Sequence, residues 1–262
     1  ISMRIEKLVL SETRNVSLTA YLLDVGGEYG YVTRRPAMLI LPGGGYQWCS
    51  DREADPVAFP FLQAGFQVFI LRYSLNRDAV WPRPLEDYEW AMETIRANAD
   101  RWDLYRDRVA VIGFSAGGHL ASCAASMAKN RPNAVILGYP VALGSCAREY
   151  CSTAPDAVAA VSRDTPPCFL FATRNDPVVP VGNTLAMAEA LDKAGVAFEC
   201  HIYAYGPHGC STGDSSIQIP DGSLCRRAQN WVQDCVDWLR DVLGDFGPDG
   251  MTCPLCGPCT SS

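Results

Sequence analysis

The sequence lacks long apolar runs and runs of basic residues, and it has only 3 histidines. No uninterrupted apolar stretch approaches the roughly 18 to 20 residues that a membrane span needs. Acidic residues outnumber basic ones, 29 to 22, so the net charge is -7 and both nucleic acid and anionic membrane surfaces are poor candidate partners. With 48% apolar and 19% charged residues, the 262-residue chain has the composition of a compact domain with its own core.

The N-terminus, Ile1-Ser2-Met3-Arg4, does not show the basic and then apolar pattern of a secretory signal peptide. The two residues before Met3 look like a remnant of processing, so a signal peptide that has been removed stays open as an alternative. The sequence favours a soluble protein of the cytoplasm.

Short apolar runs alternate with helical patterns along the chain, which predicts an α/β fold. The first two runs, at 7–10 and 16–23, indicate an antiparallel N-terminal hairpin. Later runs are almost continuously apolar, as in strands buried on both faces, and lie at 37–41, 66–71, 108–114, 134–139, 168–172 and 198–203. Helical patterns lie at 55–64, 85–99, 116–129, 182–194 and 224–243. The alternation predicts a mostly parallel central sheet with helices on both faces.

A single catalytic domain is predicted over residues 1–247, because no linker rich in Pro or Gly divides the chain before Gly247. Residues 248–262 are rich in Cys, Pro, Gly and Ser and show no hydrophobic periodicity. They are therefore predicted to form a disordered tail outside the domain.

A candidate nucleophile lies in the sequence Gly113-Phe114-Ser115-Ala116-Gly117, between an apolar strand and an Ala-rich helix. Small residues around the serine permit a sharp strand-to-helix turn that exposes its Oγ at a helix N-terminus. The aligned N–H groups there favour a developing negative charge. A serine in a plain glycine loop is the alternative, but the strand and the helix on either side favour the nucleophile.

Three consecutive glycines, Gly43-Gly44-Gly45, follow the strand at 37–41. Glycines let the backbone approach a substrate closely with its N–H groups exposed, as an oxyanion hole requires. A flexible turn would explain one glycine better than three.

The two glycine motifs together, Pro42-Gly43-Gly44-Gly45-Tyr46 and 113–121, resemble the α/β-hydrolase superfamily. More narrowly, the chain is similar to the esterase branch that joins hormone-sensitive-lipase-like enzymes to small bacterial acetyl-xylan and feruloyl esterase-like proteins. Those families usually carry His-Gly-Gly-Gly, and Pro42 in place of the histidine is associated with the carbohydrate-esterase side. The resemblance covers about residues 39–239. It implies an oxyanion hole made by the backbone N–H groups of Gly44, Gly45 and Ala116.

A serine nucleophile needs a histidine base, and position separates the three candidates. His119 lies in the helix of the nucleophile, about one turn beyond Ser115, which favours a packing role. His201 lies inside a predicted strand, where a structural role is more usual. His208 lies in a Gly/Pro loop just after that strand and is the predicted general base.

The predicted acid is Asp176, in the polar turn that follows the strand at 168–172. It lies between Ser115 and His208, in the chain order that this fold uses. Asp before Pro is also an ordinary turn former. The rival acids, Asp156 and Asp164, precede the strand and are less well placed.

The sequence offers fewer clues to the substrate than to the catalytic residues. Gly43, Tyr46, Trp48 and Trp81 lie in loops near the predicted strand ends, where aromatic rings could stack on a sugar or an aryl acyl group. Ordinary packing explains each ring equally well. The acidic segment 51–56 is explained by a helix start.

The 12 cysteines fall into two groups. Nine are scattered through the domain and several lie in apolar segments, as expected for small buried side chains in a reduced protein. The others, Cys253, Cys256 and Cys259, are a weak candidate metal site, because zinc and iron-sulfur sites commonly need four protein ligands. Unpaired thiols and a disulfide within the tail stay open. No cofactor is expected.

The sequence thus predicts a serine carboxylic-ester hydrolase that needs no metal. The preferred substrates are short acyl esters, with acetyl or feruloyl groups on a small molecule or an oligosaccharide, mainly through the resemblance. A serine peptidase or amidase of the same fold is the first alternative. A non-catalytic binding protein on this fold is the second, and the presence of all three triad residue types argues against it.

Overall fold

The computed structural model describes residues 3–255. An eight-stranded sheet forms its centre, in the order β1-β2-β4-β3-β5-β6-β7-β8. Its strands are β1 (Arg4–Ser11), β2 (Val16–Leu22), β3 (Arg35–Leu41), β4 (Gln67–Arg72), β5 (Leu104–Phe114), β6 (Ala134–Gly138), β7 (Cys168–Thr173) and β8 (Phe198–Tyr203). The β1–β2 and β2–β4 pairs are antiparallel, whereas every later pair is parallel.

The helices cover both faces of this sheet, which confirms the predicted fold class. They are α1 (Asp55–Gln63), α2 (Arg83–Ala97), α3 (Ala116–Met127), α4 (Gly144–Tyr150), α5 (Gly182–Ala194) and α6 (Trp231–Leu243). Successive residues of one strand point to opposite faces, so Leu39 and Ile40 of β3 belong to two separate buried clusters. One cluster includes residues of α2, α3 and α5, and the other includes residues of α1 and α6.

The C-terminal part of the structure differs from the sequence prediction. A short hairpin, β9 (Phe246–Gly247) and β10 (Gly250–Met251), crosses the predicted domain boundary at Gly247. Beyond it, the N–H of Leu255 donates to the carbonyl of Asp241 in α6. The first part of the predicted tail is therefore hydrogen-bonded to the domain, because the hairpin turns the chain back onto the last helix.

Two further findings concern residues 3–255 alone. No helix in this range is long and apolar enough to cross a membrane. No group of three or more His, Cys, Asp or Glu side chains in it could hold a metal ion. Cys253 is exposed, and the other two cysteines of the weak metal candidate, Cys256 and Cys259, lie outside the described residues.

Candidate active site

Ser115 occupies a strained turn between β5 and α3, with φ 52° and ψ -118°. Small neighbours make this turn possible. A Cβ added to Gly113 would lie 2.1 Å from the carbonyl oxygen of Gly117, and a Cβ added to Gly117 would lie 2.1 Å from that of Leu41. The spacing of the glycines therefore has a steric origin, and the turn presents the Ser115 hydroxyl at the carboxyl edge of the sheet.

Gly117→Ala is expected to lower the free energy of unfolding by about 3 kcal/mol, at the upper end of typical overpacking costs. The added methyl group would meet backbone atoms of β3, which cannot move away as a flexible side chain can. Urea unfolding measures the effect. The matched control is Gly182→Ala, since a Cβ at Gly182 meets nothing within 4 Å. Equal unfolding midpoints for the two variants would contradict the steric explanation.

The predicted serine, histidine and aspartate come together in space. His208 Nε2 lies 2.9 Å from Ser115 Oγ, and His208 Nδ1 lies 2.7 Å from Asp176 Oδ2. Ser115 and Asp176 are buried, whereas the His208 side chain is 16% exposed. This arrangement lets the imidazole take a proton from the hydroxyl while the carboxylate holds the ring and its tautomer.

The acid loop holds Asp176 in a fixed orientation. Its Oδ1 accepts hydrogen bonds from the N–H groups of Val178 at 2.8 Å and Val179 at 3.0 Å, which leaves Oδ2 for His208. Asn175 Oδ1 accepts the N–H of Gly206 at 2.9 Å, so the acid loop is also tied to the histidine loop. The polar turn after β7 thus provides both the contact of Asp176 with His208 and the contact of Asn175 with Gly206.

The other two histidines have structural contacts. His119 Nδ1 lies 2.8 Å from the Tyr46 hydroxyl, and its Nε2 lies 3.0 Å from the carbonyl oxygen of Pro155. Burial lowers the pKa of His119 to about 4, so its ring is neutral near pH 7. His201 lies on the edge strand β8, where its Nε2 is 2.6 Å from Glu199 Oε1.

Neither rival acid is hydrogen-bonded to His208. Asp156 accepts the N–H groups of Gly144 at 2.9 Å and Ala159 at 3.0 Å, which organises the loop after α4. Asp164 contributes its backbone carbonyl, which accepts from Arg131 at 3.2 Å.

The glycine loop passes directly against the serine. A Cβ at Gly43 would lie 3.0 Å from the Ser115 Cβ, and Gly44 and Gly45 have φ of 125° and 62°, values that side chains disfavour. Within residues 3–255, the N–H groups of Gly44, Gly45 and Ala116 donate to no protein acceptor. The N–H of Gly43, in contrast, donates to Glu53 Oε2 at 2.8 Å. Three free donors therefore lie beside the serine.

A cavity of about 410 Å³ opens at this edge of the sheet. Its lining combines the serine and histidine with glycines, aromatic and apolar side chains, and two charged residues. The lining residues are Gly44, Gly45, Gln47, Trp48, Ser50, Arg52, Glu53, Ser115, Tyr150, Val178, His208 and Gly209. Trp48 is 58% exposed and is thus available for contact with a bound molecule.

Three predicted substrate contacts, Gly43, Tyr46 and Trp81, do not line this cavity. The N–H of Gly43 is bonded to Glu53 instead. Tyr46 is 1% exposed, and its hydroxyl is hydrogen-bonded to His119. Its positive φ of 59° belongs to the turn that ends the glycine loop. Trp81 is half-buried and packs edge-on against the same histidine, with ring centroids 5.4 Å apart. Of the loop aromatics considered from sequence, Trp48 is the one that reaches the cavity.

Sequence reasoning missed Glu53 as a site residue, because the segment 51–56 is equally explained as an acidic helix start. Glu53 is 3% exposed, and its pKa is raised by burial. Tyr150 and Val178 were missed as well, since nothing in their local sequence distinguishes them from surface residues. No periodicity or motif marks these positions.

Comparison with solved structures shows the family. MGS-M1, an α/β hydrolase enzyme from a Medee basin deep-sea metagenome library, is 41% identical, with a TM-score of 0.85. The alignment covers 92% of this chain and 98% of that chain. This chain belongs to the α/β-hydrolase superfamily. The family expected from the two glycine motifs is confirmed.

Other α/β-hydrolase relatives carry names from carbohydrate chemistry. An acetyl ester-xyloside bifunctional hydrolase from Caldicellulosiruptor lactoaceticus is 30% identical, with a TM-score of 0.76, over 88% of this chain and 90% of that chain. An acetylxylan esterase from Xylanibacter ruminicola is 28% identical over 79% of this chain and 45% of its own length. The chain spans about a third to a half of the length of curated relatives such as this one.

Two family models match separate halves of this α/β hydrolase. The model named BD-FAE matches residues 28–136, which include the glycine loop and Ser115. The prolyl oligopeptidase family model matches residues 147–244, which include Asp176 and His208.

Proposed function

We propose that the chain is a serine carboxylic-ester hydrolase that acts on short acyl esters of carbohydrates. The observation that carries the proposal is the continuous hydrogen-bonded chain from Ser115 through His208 to Asp176, with free backbone N–H groups beside the serine. The esterase names among the relatives support the same reaction class.

The reaction follows from the roles of these groups. Ser115 Oγ attacks the ester carbonyl carbon as its proton passes to His208 Nε2. The carbonyl oxygen becomes an oxyanion, which the N–H groups of Gly44, Gly45 and Ala116 stabilise. The bond to the alcohol oxygen then breaks, and His208 donates its proton to that oxygen. His208 then takes a proton from water, which attacks the acyl carbon. The bond from that carbon to Ser115 Oγ breaks, the acid leaves and His208 returns the proton to the serine.

A carbohydrate alcohol is supported by the cavity as well as by the relatives. Trp48 presents an exposed ring within the cavity that holds Ser115, and flat aromatic faces can stack on sugar rings. A cavity of about 410 Å³ that is open to solvent suits a small acyl group better than a long alkyl chain.

Trp48→Ala is expected to raise KM for an acetylated xylo-oligosaccharide about five-fold, the effect of losing one stacking contact. KM for ethyl acetate, which has no ring to stack, is expected to change less than about two-fold. Phe59→Ala serves as the matched control, since Phe59 is 60% exposed and does not line this cavity. An equal rise in KM for both substrates would contradict a sugar-stacking role.

The decisive experiment for the function is hydrolysis of a series of acyl chain lengths and of acetylated against feruloylated sugars. Activity that falls as the acyl chain lengthens supports the proposal, whereas preference for long chains contradicts it.

A serine peptidase or amidase is the second candidate, favoured by the match to the prolyl oligopeptidase family model over residues 147–244. Matched ester and amide substrates separate the two, because a peptidase would cleave both.

A further inference from the structure

Glu53 is a buried carboxylate, and each of its two oxygens accepts a hydrogen bond. It lies in the short 3-10 turn Asp51–Glu53, which follows the glycine loop. Its Oε2 accepts a hydrogen bond from the N–H of Gly43 at 2.8 Å, and its Oε1 accepts one from the hydroxyl group of Tyr139 at 2.7 Å. Burying a carboxylate is costly, and burial raises the pKa of this one. At an ordinary core position, an apolar side chain would stabilise the fold better than a buried carboxylate does. We therefore expect Glu53 to have a specific role.

Tyr139 extends this contact to the histidine loop. It directly follows β6, and its hydroxyl oxygen accepts the N–H of Ser211 at 3.0 Å. Its ring packs edge-on against His208, with ring centroids 5.0 Å apart. Through Glu53, the glycine loop, the end of β6 and the histidine loop are therefore joined in one buried network, although they are distant in sequence.

Other roles of a buried acid do not fit Glu53. Asp176, not Glu53, accepts the hydrogen bond from His208 Nδ1. Among residues 3–255, no basic side chain lies within 4.0 Å of the Glu53 carboxylate, and no metal-binding cluster includes it. Its two hydrogen bonds, to a backbone N–H and to a tyrosine hydroxyl, are both ones in which a carboxylate acts as acceptor.

We propose that Glu53 is a positioning residue that holds the Gly43 N–H and thereby aims the N–H groups of Gly44 and Gly45 at the oxyanion. The role rests on the proposed esterase function. Holding Gly43 fixes the start of the turn whose free donors lie beside Ser115. A preorganised donor pair stabilises the transition state without reorganisation, and the loss of one such donor costs about 10² to 10³ in kcat.

The test compares Glu53→Gln with Glu53→Ala. The Gln amide oxygen can still accept from Gly43, so Glu53→Gln is expected to keep kcat on a small acetyl ester within about ten-fold of the wild type. Glu53→Ala removes the acceptor and is expected to lower kcat about 100-fold or more with little change in KM. Asp51→Asn is the matched control, because Asp51 is exposed and pairs with Arg72 outside the cavity.

A second measurement separates positioning from general loss of structure. A trifluoromethyl ketone adds to Ser115 as a hemiketal and needs the oxyanion donors whatever the natural ester is. Its affinity is expected to fall by the same factor as kcat in Glu53→Ala, and to stay near the wild-type value in Glu53→Gln. If Glu53→Ala does not fold, Glu53→Gln and Tyr139→Phe, which both leave an acceptor for Gly43, are expected to retain that affinity within about ten-fold.

Two results would overturn the inference. One is a Glu53→Ala protein that binds the ketone and turns over ester within about three-fold of the wild type. The other is a folded Glu53→Gln protein as inactive as Ser115→Ala, which would assign the effect to charge and not to the contact with Gly43. Failure of the wild type to form the hemiketal would instead contradict the proposed function itself.

Discussion

Ser115→Ala is expected to lower kcat for a short acyl ester by about 10⁴ to 10⁶, which abolishes measurable hydrolysis. The Ser115 hydroxyl is the group to which His208 Nε2 is hydrogen-bonded, so its removal leaves the base without a nucleophile to activate. The fold is expected to persist, because the hydroxyl makes no other hydrogen bond within residues 3–255 and alanine occupies the same backbone turn.

The measurement combines hydrolysis of 4-nitrophenyl acetate with circular dichroism and mass spectrometry after treatment with a fluorophosphonate. The wild type is expected to gain one covalent adduct and the variant none. Ser122→Ala is the matched control on the same helix, since that hydroxyl donates to the carbonyl of Gly118 and faces no base. A Ser115→Ala protein that keeps more than about a hundredth of the wild-type activity would contradict the assignment.

The residues of the proposed triad could be selected from the sequence because each follows a strand at the same edge of a parallel sheet. Ser115, Asp176 and His208 come directly after or shortly after β5, β7 and β8, and parallel strands bring such loops together. The serine motif and the chain order then favour Asp176 over Asp156 as the acid and His208 over His119 as the base. For these positions local sequence carries enough information, since strand ends are visible as boundaries of apolar runs.

The rest of the site depends on contacts that no local pattern encodes. Glu53 and Tyr139 meet across 86 residues of sequence, and each alone resembles an ordinary turn or core residue. Tyr46 and Trp48 are two positions apart, yet one ring is buried against His119 and the other is exposed in the cavity. The turn geometry decides which ring faces inward, and the sequence does not show it.

Asp176→Asn is expected to lower kcat about 10⁴-fold while retaining the fold, because it reverses the hydrogen-bond polarity at His208. Asp176 Oδ1 accepts from the N–H groups of Val178 and Val179, and Oδ2 accepts from His208 Nδ1. An asparagine has one oxygen, which keeps the two backbone donors and turns its NH₂ group towards the imidazole.

The NH₂ group forces Nδ1 of His208 to accept, so the ring proton moves to Nε2, the atom that lies 2.9 Å from Ser115 Oγ. A protonated Nε2 donates to the serine and cannot take its proton, so general-base catalysis is lost although the distances stay the same. Steady-state kinetics that compare kcat of Asp176→Asn with kcat of the control variant Asp156→Asn check this result. Asp156 also accepts two backbone N–H groups but makes no hydrogen bond to His208, so its variant is expected to keep kcat within about three-fold. Equal losses in the two variants would contradict the assignment of Asp176 as the acid.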